Sequence, residues 1–399
     1  MEDLVFVSHR IPYPPNKGDK TRSWNFLCRL AGHYAVHLAT FVDDPADWQH
    51  VKVVQEICET TLIVQLKRTS SKLRSLRGLA TGEPLTVPYF YHPKMKRRLD
   101  SLFEQYRPRK LYAFSSGIAA YAMEPRWAGV RRIIDLVDVD SEKWRQYADR
   151  KSGVARWVYG REARTLLAFE RKASEVYDAT VFVSDAEADL FRSLSPKTAP
   201  KIHAVRQGVD AQYFDPDREY ENPYPADVEP IVFTGTMDYW PNVDAVTWFA
   251  AEALAELRER RRTIAFFIVG SNPTREVAAL GSEPAVVVTG RVPDIRPYLQ
   301  HAKLVVAPLR VARGVQTKVL EGMAMGKTVV ASPMALEGIE AEPGRHLLVA
   351  ETSREFARAV TEALDGKASE LGSDARVLVN AHYSWDASYS KLRELLEAG

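Results

Sequence analysis

Residues 304–326 read Leu304-Val-Val-Ala307-Pro-Leu-Arg310-Val-Ala-Arg313-Gly314-Val-Gln-Thr-Lys318-Val-Leu-Glu321-Gly-Met-Ala-Met-Gly326. A short apolar run ends at Ala307, a turn carrying Arg310 and Arg313 follows, and Gly314 allows backbone to approach a ligand closely before a helix opens. The same strand–turn–helix unit recurs along the chain. Leu4–Val7, Val36–Phe41, Leu62–Leu66, Lys110–Phe114, Arg132–Val137 and Thr180–Val183 read as buried strands with amphipathic stretches between them. A second series follows at Ile231–Thr234, Ala265–Val269, Val286–Thr289, Leu304–Ala307 and Thr328–Ala331. Such alternation predicts two tandem doubly wound, Rossmann-like α/β domains facing a cleft, with ligand sites beyond the carboxyl ends of mostly parallel strands.

A chain of 399 residues is too long for one hydrophobic core. The expected division is an N-terminal domain over 1–205, a proline-rich acidic linker over 206–230, and a C-terminal domain over 231–380. A C-terminal helix within 381–399 is expected to pack back on the first domain. With 46% apolar and 27% charged residues, the composition is that of a globular protein. Apolar runs are strand-sized, so no membrane span is expected. The start Met-Glu-Asp-Leu-Val-Phe lacks the basic and apolar blocks of a signal peptide, and Cys28 and Cys58 are too few for a disulfide framework, so a cytoplasmic location is expected.

The formal charge of +2 conceals an asymmetry: residues 1–205 carry 33 Lys+Arg against 24 Asp+Glu, and residues 206–399 carry 21 against 28. The stretch 67–110 alone holds 12 basic and three acidic residues, with Tyr89-Phe-Tyr91 among them. A solvated basic face explains this, as does peripheral docking on an anionic membrane. Nucleic acid is not an expected partner, because no nucleic-acid module accompanies the charge.

Two near-motifs are set aside. Gly322-Met-Ala-Met-Gly326-Lys327-Thr328 lacks one residue of phosphate-loop spacing and joins helix to strand. Asp138-Val-Asp140 resembles a pair of metal-binding carboxylates, but no further ligand set is evident, and no metal is expected. These acids read instead as polar groups for hydroxyls at a strand end, or one of them caps the helix beginning near Ser141.

Residues 307–321 carry more. A helix N-terminus attracts anions, and Arg310, Arg313 and Lys318 would reinforce it for a diphosphate without metal. Lys318 and Glu321 lie three apart on one helix face, so the carboxylate suits ribose hydroxyls; alone, the two would read as a plain surface pair. Two further turns support the first reading. Phe233-Thr-Gly235-Thr236-Met-Asp-Tyr-Trp-Pro241-Asn242 is another strand, glycine turn and helix start, and Pro12–Arg22 closes the first strand with Gly18 before a helix.

At these residues the chain resembles the family 4 retaining glycosyltransferases, which have the GT-B fold. Val205-Arg-Gln-Gly208-Val209-Asp210 with Phe214-Asp-Pro216, then Phe267-Ile-Val-Gly270, Val288-Thr-Gly290-Arg291-Val-Pro-Asp294 and Lys318–Gly326, follow that family in order. Asp138–Trp144, Tyr239–Ala245 and Pro308–Lys318 look like the sugar transferases that accompany exosortase (PEP-CTERM) systems in bacterial exopolysaccharide assembly. The family usually places two glutamates around seven residues; here Glu321 is the second and Arg313 stands at the first. The usual Arg and Lys after the first C-domain strand are absent, and Arg310, Arg313 and Lys318 are the candidates to replace their charge.

The resemblance implies retaining transfer from a nucleotide-diphosphate sugar, a substrate and not a cofactor, to a glycan or lipid-linked acceptor. Catalytic candidates are Arg313, Lys318 and Glu321. Donor contacts are assigned to Gly18, Gly235, Thr236, Asn242, Gly270, Arg291, Arg310, Gly314 and Val315 beside them. Acceptor-side candidates are His9, Asp19, Lys20, Asp138 and Asp140, although a solvent-facing turn is the simpler reading of His9. The alternatives are a GT-B nucleotide-sugar epimerase and a non-catalytic sugar-binding or scaffold protein.

Overall fold

The computed structural model describes residues 1–15, 17–312, 314–368 and 370–398. The chain forms two compact units, Met1–Arg206 with Ser388–Gly399, and Gln207–Ala387.

The first unit is a seven-stranded parallel sheet in the order β3-β2-β1-β4-β5-β6-β7. Its strands are β1 (Glu2–Ser8), β2 (Tyr34–Val42), β3 (Thr60–Gln65), β4 (Lys110–Phe114), β5 (Arg131–Val137), β6 (Ala179–Phe182) and β7 (Ile202–Ala204). Helices α1 (Gly18–Ala31), α2 (Val51–Ile57), α3 (Arg68–Thr81), α4 (Thr86–Phe90) and α5 (Pro93–Tyr106) connect the first four strands. They are followed by α6 (Asp140–Asp149), α7 (Gly153–Val176) and α8 (Asp185–Leu194). The central strands are buried on both faces, as parallel strands covered by helices must be, so they read as nearly continuous apolar runs.

The second unit carries six parallel strands in the order β10-β9-β8-β11-β12-β13. These are β8 (Glu229–Thr234), β9 (Ile264–Val269), β10 (Val286–Gly290), β11 (Leu304–Ala307), β12 (Val329–Ala331) and β13 (Leu348–Val349). Its helices are α9 (Trp240–Trp248), α10 (Leu254–Arg260), α11 (Arg275–Leu280), α12 (Arg296–His301), α13 (Thr317–Ala324), α14 (Pro333–Leu336), α15 (Ser353–Leu364) and α16 (Leu371–His382); the last helix, α17 (Trp385–Glu397), belongs to the first unit from Ser388 onward. In each sheet the order reverses beside the first strand, between β1 and β4 and between β8 and β11. Those switch points are where doubly wound sheets leave a crevice for ligands.

The stretch expected as a linker belongs to the second unit. Phe214 and Tyr224 are in its core, the Tyr224 hydroxyl donates to Tyr298 O at 2.7 Å, and Gln300 Nε2 donates to Pro216 O at 2.8 Å. At the other end of the chain, the Tyr34 hydroxyl donates to Glu397 and Arg131 Nε donates to Leu395 O, which ties the last turns of α17 to the first unit.

Candidate functional site

In the second unit, two of the quoted turns meet. Gly235 ends β8 with φ +158°, and a Cβ there would stand 2.7 Å from Asn242 Nδ2 and 3.6 Å from Lys318 Cε. Asn242 is buried in the first turn of α9, where it donates from Nδ2 to Thr236 O (2.9 Å) and accepts from Lys318 Nζ at Oδ1 (3.1 Å). Lys318 also lies 5.1 Å above the Phe233 ring. Burial disfavours its charged form and lowers its pKa to about 8, opposed by the attraction of Glu321. The same burial raises the Glu321 carboxyl to about 7, with Lys318 pulling the other way. Each neutral form is thus accessible near neutral pH, as the task-matched groups of functional sites often are.

The helix α13 opens beside this pair with no side-chain cap. Its first N–H groups and dipole favour an anion at that end. Gly314 precedes it at φ +66°, a left-handed conformation that favours glycine, and Val315 packs on the core.

Three of the donor candidates stand in other surroundings. Gly270 is a packing residue: a Cβ would lie 1.6 Å from Gly235 O, so only glycine lets β9 pass the Gly235 turn. Arg310 does not join Lys318. It pairs with Asp244 (3.0 and 2.5 Å) and stacks on Trp248, and Asp244 stands two positions from Asn242, around the far side of α9. Arg291 is exposed after β10, and no described hydrogen bond or ion pair links it to this cluster. Arg313 lies outside the described residues. Tyr213 was not legible as a site residue, yet its hydroxyl lies within electrostatic reach of Glu321 and its ring holds Arg296 at 3.8 Å.

At the switch point of the first unit, His9 is buried after β1 between Phe90 and Phe114, not turned to solvent. Its Nε2 meets Asp19 Oδ2 at 3.2 Å, and its Nδ1 has no partner. Burial opposes ionisation of Asp19, but the bonds from His9 and the charge of Arg10 outweigh it and hold the carboxyl well below its usual range. Lys20 is committed to a buried pair with Asp47 at 2.6 Å, so it is not a free acceptor-side cation. Gly18 is the exposed first residue of α1. Arg22, from the same turn, is fully buried: its Nε donates to Asp135 Oδ2 at 2.8 Å, and its terminal nitrogens hold Val205 O and Arg206 O. The Tyr112 hydroxyl completes this group on Asp135 at 2.5 Å.

Asp138 and Asp140 follow β5 but neither caps α6. Glu187 accepts Val139 N–H (2.7 Å), while Glu170 accepts Ser141 N–H (3.3 Å) and Oγ–H (2.6 Å). Lys143 Nζ bridges the two carboxylates, 2.7 Å from Asp138 and 3.2 Å from Asp140. Asp138 Oδ1 is buried without a donor. Nearby, Ser115 (φ +87°) and Val137 (φ +71°) hold a conformation that L side chains rarely adopt, and the β5–β6 register shifts at Val137. Backbone strain of this kind concentrates at functional sites.

The comparisons agree with this architecture. Residues 229–366 match the family model described as glycosyl transferases group 1. No curated protein matches the chain in sequence. Among solved structures, a sucrose-phosphate synthase from Thermosynechococcus elongatus superposes with a TM-score of 0.73 at 17% identity, over 100% of both chains. A glycosyltransferase from Rickettsia africae gives 0.70 at 14% identity, over 100% of this chain and 98% of that one. Anabaena HepE, solved in complex with UDP-glucose, gives 0.67 at 12% identity over 100% of both chains. At these identities the likeness shows the fold, which is GT-B: two parallel-sheet α/β units.

Proposed function

We propose that the chain is a glycosyltransferase that moves a sugar from a nucleotide-diphosphate donor to a glycan or lipid-linked acceptor, with retention at the anomeric carbon, in assembly of a bacterial exopolysaccharide. The observation that carries this reading is the cluster of Lys318, Glu321 and Asn242 under the Gly235 turn, at the uncapped start of α13. Breaking a glycosidic bond to diphosphate places negative charge on the leaving oxygen. A preorganised cation and helix N-terminus stabilise that charge at no cost of reorientation. Because Arg310 is held by Asp244, Lys318 is the cation for this task among the described residues.

Glu321, partly protonated near neutrality, both donates to and accepts from ribose hydroxyls. The Anabaena neighbour was solved with UDP-glucose, which supports a uridine nucleotide as the first donor to try. On the acceptor side, Asp138 Oδ1 and His9 Nδ1 are buried polar atoms without partners and take acceptor hydroxyls. In this mechanism the acceptor attacks on the face the diphosphate leaves, and the departing phosphate oxygen receives its proton, so no separate base and no metal are invoked.

The test is thermal-shift screening against nucleoside diphosphates, then product analysis with the best nucleotide sugar, alone and with oligosaccharide or lipid-linked acceptors. Sugar transfer that needs the acceptor is expected. Isomerised donor formed without any acceptor would indicate the epimerase instead, and an absence of turnover with a bound donor would indicate a sugar-binding protein.

A further inference from the structure

The helix α3 is inside out. Its inward side carries the small residues Ser71 and Gly78, and a Cβ at Gly78 would lie 2.8 Å from Glu83 O. Its leucines face solvent instead: Leu73 is 72% exposed, Leu76 54% and Leu79 42%. The helix contains no Asp or Glu, and Lys67, Arg68, Lys72 and Arg77, all exposed, border the leucines. Arg74 is the exception, turned inward to Ser71 Oγ and Tyr89 O. By contrast, the aromatic residues of 89–91 are largely spent on packing: Tyr89 and Phe90 lie on the core, and Tyr91 stacks on Tyr121.

The apolar face continues onto α7. Arg161 donates to Gly78 O and to Glu83 O at 3.1 Å, joining the two helices. Val154 and Trp157 lie seven and four positions before Arg161 on the same helical face, and they are 79% and 59% exposed. Beside them an open groove of about 560 Å³ is bordered by Arg145, Arg156 and Arg164.

We infer that this surface, α3 with the start of α7, is the membrane-docking face of the first unit, and that its occupant is an anionic lipid bilayer. Exposed leucines and a tryptophan bordered by an excess of lysine and arginine match acyl chains beneath anionic headgroups. A protein partner or a second copy would also cover the leucines, but the rim then requires an acidic surface. Asp43, Glu83, Glu142 and Asp149 are the acids that adjoin it; Asp43 is shared between Arg10 and Arg68, and Glu142 and Asp149 are paired with Arg145. The inference is independent of the chemistry proposed above.

Flotation tests it directly. The full chain, at low salt, is expected to float with vesicles of phosphatidylglycerol and phosphatidylcholine and to stay down with phosphatidylcholine alone. Leu73→Ser/Leu76→Ser/Leu79→Ser should lower partitioning at least tenfold, and Arg68→Glu/Lys72→Glu/Arg77→Glu should abolish it, both with wild-type circular dichroism. Light scattering without lipid should give one mass for wild type and the leucine variant. No flotation of wild type on anionic vesicles, or undiminished flotation of the leucine variant, overturns the proposal. A wild-type dimer that this variant dissolves overturns it in favour of self-association.

Discussion

Replacing Lys318 by methionine removes the Nζ charge, and with it the cation over the Phe233 ring, while keeping an unbranched apolar side chain out to Cε. In the wild type, Nζ donates to Asn242 Oδ1, and its other hydrogens have no partner among the described residues. A donor diphosphate would take them. A hydrogen bond to a charged group contributes about 1.5–3 kcal/mol, so the variant should bind nucleotide sugar roughly 10- to 150-fold more weakly. The pH dependence makes the test specific. The free side chain has a pKa of about 8 because burial disfavours its charge, and anion binding requires the protonated form. Wild-type affinity should therefore fall above pH 8, approaching tenfold per pH unit, whereas Lys318→Met should lose this alkaline limb. Titration calorimetry with the best donor between pH 6.5 and 9.5, in about 0.1 M salt, measures both effects. A variant affinity within twofold of wild type, or a wild-type affinity flat through pH 9, would show that Lys318 does not hold the diphosphate.

Other perturbations follow from the packing. Gly270→Ala places a methyl 1.6 Å from Gly235 O, a backbone atom that cannot yield without moving β8, so it should cost about 3 kcal/mol or more by urea unfolding and weaken donor binding as well. Arg22→Met strands the buried Asp135 carboxylate and releases the carbonyls of Val205 and Arg206; a loss of about 3–5 kcal/mol is expected in the same assay. Glu170 is raised to about 8, first by burial and then by Asp140, so the folded chain holds a proton that the unfolded chain releases from about pH 4.5 upward. Its stabilising contribution is complete below that value, declines as pH rises and is gone above pH 8; in Glu170→Gln that part of the slope should vanish from unfolding measured between pH 5 and 9.

The strands were readable because parallel strands buried on both faces are short apolar runs, and β1, β2, β4, β5, β8, β9 and β11 all stand where such runs predict. Beta-strands β7 and β13 were missed: with three and two residues at sheet edges, they carry almost no pattern. Lys318 and Glu321 were legible from helical spacing, and Gly235 from the turn it must make. The partner of Arg310 was not legible, because nothing local says that a cation four residues before a helix-opening turn will swing to Asp244, which is 66 positions away. The same limit hid Asp135, whose partner Arg22 is 113 positions distant, and hid Glu170 and Glu187, which serve the start of α6 from other helices. Pairings of this range belong to the tertiary fold and leave no periodic trace.

Net charge and the proposed anion site fall in different units, and the pairing pattern explains why. The positively charged first half spends its buried and half-buried cations internally: Lys20 on Asp47, Arg22 on Asp135, Arg10 on Asp19 and Lys143 on Asp138 and Asp140. Its remaining excess lies on exposed helices such as α3, where a long-range field acts on surfaces and not on a single phosphate. The acidic second half holds one lysine whose described hydrogen-bond partner is a neutral amide and whose nearest carboxyl is itself driven toward protonation. A buried cation left so lightly compensated is costly without a ligand and strongly stabilised by an anion. On the proposed reading, the local deficit at Lys318, set by burial and by the diversion of Arg310, would draw the donor diphosphate to the acidic unit, while the surface surplus of the basic unit would serve the membrane contact inferred above.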